Sequence, residues 1–237
     1  MKQFIGDSSF WQIFPNAQIF GLVVVGVSNQ TTTPQMQRDQ QLLTTAEQQA
    51  QQYLTAATFS DNIVIQEWRQ AYRQFKKKRG ARSSIEALLK RVSQGKELSP
   101  INPLVDLYNS ISLQFGVPAG GEDLSQITGD LHLGVAQGGE NFQPLGVDHE
   151  EPAQAGEVIY YDDLGAICRC LNWREAQRTM LTESTTTAIL MVEAINQRQQ
   201  EFAQAAILQL QQLIAQELQV TGTSFQITAK KPQVDLL

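Results

Sequence analysis

The chain has 237 residues, 42% of them apolar and 18% charged, with a formal net charge of −6. A chain of this length can bury a full hydrophobic core without metals or disulfides. Its negative balance argues against an indiscriminate nucleic-acid binder. It reads as one domain over 1–237, with a core over 68–195, an N-terminal strand and helix over 1–67, and a C-terminal helix and strand over 196–237.

Met1 to Asp7 has no basic region followed by an apolar stretch, so no secretory signal is expected. The longest apolar run, Ile19 to Val27, is broken by Gly21 and Gly26 and is about half as long as a membrane-spanning helix. It reads as a buried strand, and the expectation is no membrane and a cytoplasmic location. Pro34 to Ala57 is glutamine-rich but keeps one apolar stripe through Leu43, Ala46, Ala50, Tyr53, Leu54 and Ala57, so it predicts a helix. A second helix is predicted from about Asp61 to Lys78, burying Trp68, Tyr72 and Phe75 and leaving Arg69, Arg73 and Lys76–Lys78 mainly on the other side. Between Arg69 and Arg91 nine Lys or Arg stand against one acid, Glu86. This is either a footprint for a polyanion or a solvated helix face with a charged turn. Ser83-Ser84-Ile85-Glu86 is a capping box that opens a third helix, and Gly95 closes it.

From Glu97 to Cys168 the charge reverses, with twelve acids and no Lys or Arg. Asn102 and Pro103 occupy the cap and first positions of a helix whose stripe is Leu104, Leu107, Tyr108, Ile111 and Phe115. Asp106 and Asn109 share one of its faces. Val117 to Asp123 is turn-rich. Leu131 to Val135 alternates as a half-buried strand, and Glu157–Tyr161 with Ala166–Leu171 reads as a hairpin around Asp162-Asp163-Leu164-Gly165. Strict alternation there puts Ala166, Cys168 and Cys170 on one face and Ile167, Arg169 and Leu171 on the other. Thr187 to Ile195 is an apolar strand with one charge, Glu193. Gln199 to Leu218 is an amphipathic helix and Thr223 to Ala229 a last strand. Irregular alternation with hairpins and no internal repeat predicts an α/β (α+β) fold with a central mixed sheet and flanking helices, rather than a doubly wound one.

Chemical motifs are few. The chain lacks a Gly-x₄-Gly-Lys-Ser/Thr loop and a Gly-x-Ser-x-Gly elbow. Cys168 and Cys170 are too close for an unstrained disulfide, and His132 and His149 have no zinc-type spacing, so no metal and no cofactor are expected. Two polar segments stand beside apolar ones: Asn102, Asp106 and Asn109, and Cys168 to Glu175 leading to Thr182. A charge in a strand as apolar as that of Glu193 needs a partner. The partner is either an internal arginine, such as Arg169 or Arg174, or a ligand.

These residues resemble the B3/B4 domain, the tRNA-editing domain of the phenylalanyl-tRNA synthetase beta subunit, and more closely the free-standing bacterial proteins built of that domain alone. The pattern Asn-x-x-Val-Asp-Ile-x-Asn is met by Asn102 to Asn109, and Gly-x-Pro by Gly116-Val117-Pro118. Leu-Leu-Glu is met by Met191-Val192-Glu193. The free-standing group's Ala-Gly-Gly-Glu-Asp-Leu and Cys-Arg-Cys-x-Asn-Trp-Arg-Glu are met by Ala119–Leu124 and Cys168–Glu175. The synthetase has a histidine where Gly120 stands here, and a Gly-rich turn where Asn172-Trp173-Arg174-Glu175 stands. The resemblance implies a compact α/β editing module, too small to charge tRNA by itself, that hydrolyses a noncognate aminoacyl ester at a tRNA 3′ end. On that reading Asn102, Asn109, Asn172 and Thr182 orient water and carbonyl. Asp106 or Glu193 holds the α-ammonium or a side-chain hydroxyl. Gly120, Gly121 and Arg174 line the substrate site with Glu193, and Arg69, Arg73, Lys76, Lys77, Lys78 and Arg79 contact tRNA phosphates. The alternatives are a noncatalytic RNA- or tRNA-binding module and a pocket protein for a free amino acid.

Overall fold

In the computed structural model, which describes residues 2–237, the strands divide between two sheets. The first has the order β10 (Gln233–Asp235), β1 (Gln3–Gly6), β4 (Leu131–Val135), β5 (Val158–Asp162), β6 (Gly165–Arg169) and β7 (Arg174–Glu175). It is mixed, because β1 runs parallel to β4 and antiparallel to β10. The second is antiparallel, in the order β3 (Ala119–Asp123), β8 (Thr187–Ala194), β2 (Gln18–Val25) and β9 (Gly222–Thr228). The helices are α1 (Ser8–Ile13), α2 (Thr33–Ala50), α3 (Ile63–Ala71), α4 (Ser84–Ser93), α5 (Pro103–Phe115) and α6 (Gln197–Glu217).

The apolar runs in β2 and β8 follow from burial on both faces. Phe20, Leu22, Val24, Leu190 and Val192 pack with Leu107 and Ile111 of α5 and Ile207 and Leu210 of α6. One residue out of phase, Ile19, Val23, Ile189 and Met191 join Phe4, Leu133, Val158 and Ile167 of the mixed sheet. The main core therefore lies between the two sheets, and Trp68, Tyr72 and Phe75 close one end of it. The mixed α/β class is as read from the sequence. Among the described residues no helix is long and apolar enough to cross a membrane.

Several elements differ from their sequence reading. The helix read to Lys78 ends at Ala71. There the Arg73 and Gln74 amides turn to carbonyls three residues back, and the Lys76 N–H donates to the Gly156 carbonyl at 3.1 Å. Arg73 to Arg79 is therefore a loop tied down against the approach to β5. The helix read to Ala57 ends at Ala50 and tightens into a 3-10 turn over Gln51–Tyr53. The turn-rich stretch after Pro118 is strand β3. In the β5–β6 hairpin a bulge opposes Tyr160 and Tyr161 to Cys168 and Ala166. It throws the alternation out of phase, so Ile167 and Cys168 both enter the main core while Ala166 joins a small outer cluster.

Candidate functional site

A cavity of about 270 Å³ opens between the two sheets, where β3 and β8 face the ends of β5, β6 and β7. Strand alternation selects its lining. Gly120 and Glu122 of β3 project to the same side as Met191 and Glu193 of β8, with Gly120 opposite Met191 and Glu122 opposite Ile189. Gly121 points the other way, and an added Cβ would meet Leu190 Cδ2 at 2.3 Å, so it contributes backbone only. β3 is the edge strand of its sheet. The Glu193 N–H donates to the Pro118 carbonyl at 3.3 Å, which by antiparallel alternation turns the N–H groups of Gly121 and Asp123 outward. That of Asp123 donates to the Thr179 carbonyl at 2.8 Å.

The opposite wall is built by an unusual turn. Cys170 and Leu171 take left-handed backbone angles, φ 49° and 64°, a conformation that is costly for a residue other than glycine. The turn delivers Asn172 to the cavity. Its Oδ1 accepts from the Tyr72 hydroxyl at 3.0 Å and from the Ser84 N–H at 3.2 Å, and its Nδ2 donates to Glu193. The other oxygen of Glu193 accepts from the Tyr160 hydroxyl at 2.7 Å. Glu193 is thus held by two neutral donors. The arginine alternative is met elsewhere: Arg169 makes a bidentate pair with buried Glu157 at 2.7 and 2.8 Å, and Arg174 lies over the Trp173 ring at 5.7 Å.

Three carboxyls line this cavity: Glu122, Glu175 and Glu193. Burial pushes Glu193 up to about 7 against the opposing hydrogen bonds from Tyr160 and Asn172. Burial also raises Glu175, to about 7. Glu122 is raised further, by burial and then by the neighbouring Glu175, with the Thr179 hydroxyl and Arg178 offsetting only part. A second hollow, of about 350 Å³, lies behind Tyr72 and is lined by Arg69, Arg73, Lys77, Arg82 and Glu86. Its partition from the first is the Tyr72–Asn172 hydrogen bond.

Of the residues singled out from sequence, the structure brings together Gly120, Gly121, Asn172, Arg174 and Glu193. Asn102, Asp106, Asn109 and Thr182 do not line the cavity. The Asn102 side chain caps α5 through the Val105 N–H and bonds Asn29. Asp106 is buried, accepts from the Ile101 N–H at 3.0 Å and is pushed up to about 7 by that burial. Asn109 sits half-buried on α5, and the Thr182 hydroxyl meets that of Ser184. His132 pairs with Asp7 at 3.0 Å, away from the cavity. In the basic segment Arg69 is bound to Glu86 and Lys78 to Glu151. Arg73, Lys76, Lys77, Arg79 and Arg82 are exposed and carry no ion pair among the described residues. Sequence reasoning passed over Glu122, Glu175 and Tyr160 as site residues. The period-two phase of Gly120 and Glu122 was the available signal, once the segment is taken as a strand.

Residues 67–215 match the family model of the B3/4 domain. The phenylalanine–tRNA ligase beta subunit of Nocardia farcinica is 35% identical over 68 residues, which cover 29% of this chain and 8% of that protein. An N-terminal fragment of the phenylalanyl-tRNA synthetase beta subunit from Pyrococcus horikoshii superimposes with a TM-score of 0.49 at 13% identity, covering 94% of this chain and 53% of the fragment. The chain thus spans under a tenth of the curated relative and about half of the solved fragment.

Proposed function

The chain belongs to the B3/4 domain family, and from that premise we propose that it hydrolyses, in trans, the ester between a noncognate amino acid and the 3′ end of a tRNA. The observation that carries this reading is the cavity itself: a half-open, mainly apolar space with a fixed Tyr160–Glu193–Asn172 set on one side and the backbone of Gly121, on the edge strand, on the other. Glu193 keeps lone pairs for a ligand ammonium or hydroxyl beyond the two hydrogen bonds it already accepts. The Gly121 N–H, turned away from β8, would donate to the oxyanion that forms as water adds to the ester carbonyl. An aminoacyl ester is already activated, so no nucleophile–histidine pair is required: the remaining Nδ2 hydrogen of Asn172 holds a water that adds to the carbonyl, the ester C–O bond breaks, and the water's proton reaches the leaving tRNA 3′ oxygen through solvent. The exposed Arg73, Lys77 and Arg82 at the adjoining hollow supply positive charge for phosphates of the terminal nucleotides. A tRNA substrate puts the protein in the cytoplasm.

The test is deacylation of a panel of tRNAs, each charged with a noncognate amino acid, by the full chain and by Asn172→Ala and Glu193→Ala. Release of amino acid above the spontaneous rate, reduced at least tenfold in both variants, supports the proposal. Binding of tRNA with no release from any member of the panel would leave a noncatalytic tRNA-binding module in its place.

A further inference from the structure

None of the ion pairs among the described residues involves Glu122, Glu175 or Glu193. Three carboxyls therefore share one cavity without a protein cation bound to any of them. Arg174, the basic residue of the lining, stays over the Trp173 ring instead. Glu122 is the most demanding of the three. It is 2% exposed, and both its Oε2 and the hydroxyl of Thr179 beside it are buried with no hydrogen-bond partner of ordinary geometry. A buried carboxyl left in this state costs stability unless something else completes it.

The three are also arranged along a line. Glu122 faces Ile189 across the β3–β8 ladder, and Glu193 lies four residues further along β8. At strand rise that is about 13 Å between backbone positions, on one face of one sheet. Met191 and the side-chain-free Gly120 lie between them, and Glu175 Oε1 comes to 3.5 Å from the place a Gly120 Cβ would take. The cavity thus offers Glu193 at one end and Glu122 at the other, with Met191 on the floor between them and Glu175 over Gly120, near enough to Glu122 to act on its charge.

Resting on the proposed function, we infer that the amino acid this cavity selects carries a second cationic group: an amine or guanidinium at the end of an aliphatic side chain, held by Glu122 and Glu175 while Glu193 holds the α-ammonium. An ammonium or guanidinium is donor-only and satisfies several carboxylate lone pairs at once. A phenol could donate one hydrogen bond to a single carboxyl, as Tyr160 does to Glu193, but not satisfy both, and an aliphatic group satisfies neither. Glu175 and Glu193 are raised to about 7 and Glu122 is raised as well, so a cation that binds among them at neutral pH displaces protons. Its affinity rises with pH, and binding releases protons to the buffer. A neutral side chain that accepted hydrogen bonds from protonated carboxyls would bind more weakly as pH rises.

The experiment is calorimetric titration of the full chain with lysinamide, argininamide and tyrosinamide, at pH 6 and pH 8, in two buffers of different ionisation enthalpy. Wild type, Glu122→Gln and Glu175→Gln are compared, with circular dichroism as the check on fold. The expected result is at least tenfold preference for lysinamide or argininamide over tyrosinamide at pH 8, net proton release, and loss of at least tenfold in affinity for the cationic amide in Glu122→Gln. Equal or better binding of tyrosinamide, an unchanged affinity in Glu122→Gln, or binding of none of the amides would overturn the inference. Deacylation separates it from its premise. Cation-selective binding with no release from any mischarged tRNA removes the hydrolase and keeps the selectivity. Release from tyrosyl but not from lysyl or arginyl esters keeps the hydrolase and removes the selectivity.

Discussion

Glu193 is the one ionisable residue of β8, and its environment sets a pH dependence with a definite sign. Its folded pKa, about 7, lies above the unfolded value of 4.5, as do those of Glu175 and, from 3.8, Asp106. The folded state therefore binds more protons than the unfolded chain between pH 4.5 and 7, and stability falls as pH rises through that window. Glu67 and Glu151 shift the other way: hydrogen bonds from Arg198 and Gln199 hold the first low despite burial, and Lys78 holds the second low. Their titration lies below the window. The melting temperature should therefore drop from pH 5 to pH 8. Glu193→Gln should be less stable than wild type at pH 5, because Asn172 Nδ2 loses an acceptor, with the gap narrowing by pH 8. A parallel pair of melting curves across that range would contradict the assignment. Arg169 makes the opposite case. It and Glu157 are 1% and 0% exposed and bind each other at two points, and Arg169 also donates to the Glu151 carbonyl at 2.6 Å. Arg169→Ala leaves Glu157 buried and unpaired, which should cost about 3–5 kcal/mol in denaturant unfolding. A loss under 1 kcal/mol would mean that water reaches Glu157.

Strand β3 gives the sharpest contrast available within one element. A methyl group added at Gly120 would meet only Glu175 Oε1, at the ordinary contact distance of 3.5 Å, and would project into the cavity. One added at Gly121 would strike Leu190 at 2.3 Å and crowd the Ile189 carbonyl at 3.2 Å. Gly120→Ala should keep the wild-type melting temperature while weakening ligand binding several-fold. Gly121→Ala should lower stability by about 1–3 kcal/mol through overpacking. Thermal melts of both variants beside amide titrations would decide, and equal melting temperatures would refute the assigned faces. This element also marks where the sequence stops being legible. Pro118, Gly120 and Gly121 give Val117 to Asp123 the composition of a turn, yet an edge strand tolerates all three. β2, β8, α5 and α6 could be read because their stripes are long and regular. β7 has two residues, too few for any period, and the β5–β6 bulge breaks alternation with no local signature. Asn172 was visible as a polar residue ending a strand. That it would meet Glu193 depends on consecutive left-handed residues at Cys170 and Leu171, and the side chains there do not predict them.

Across the whole molecule, the charge asymmetry in the sequence becomes a spatial one: carboxyls inside the cavity, free cations outside it, with Tyr72 and Asn172 between. The density of Lys and Arg between Arg69 and Arg91 was plain from sequence. Which of them stay unneutralised was not, because Lys78 is paired with Glu151, 73 residues further on. That pairing alters which substitutions are informative. Reversing Lys78 would set a negative charge against Glu151 and disturb the loop between Phe75 and Gly80, so it mixes fold with binding. Arg73, Lys77 and Arg82 are exposed, line the hollow beside the cavity and make no ion pair among the described residues. If they meet phosphates of a single-stranded 3′ end, each contact contributes about 0.7 to the slope of log affinity against log salt. The triple variant Arg73→Glu/Lys77→Glu/Arg82→Glu should therefore lower that slope by about 2, weaken tRNA binding at low salt more than at high salt, and keep its melting temperature and its affinity for free amino-acid amides. Gel-shift titrations at two salt concentrations, with amide calorimetry alongside, measure each of these. An unchanged slope would move the nucleic-acid contact to another face of the protein, and a parallel loss of amide affinity would mean that the hollow and the cavity are one site.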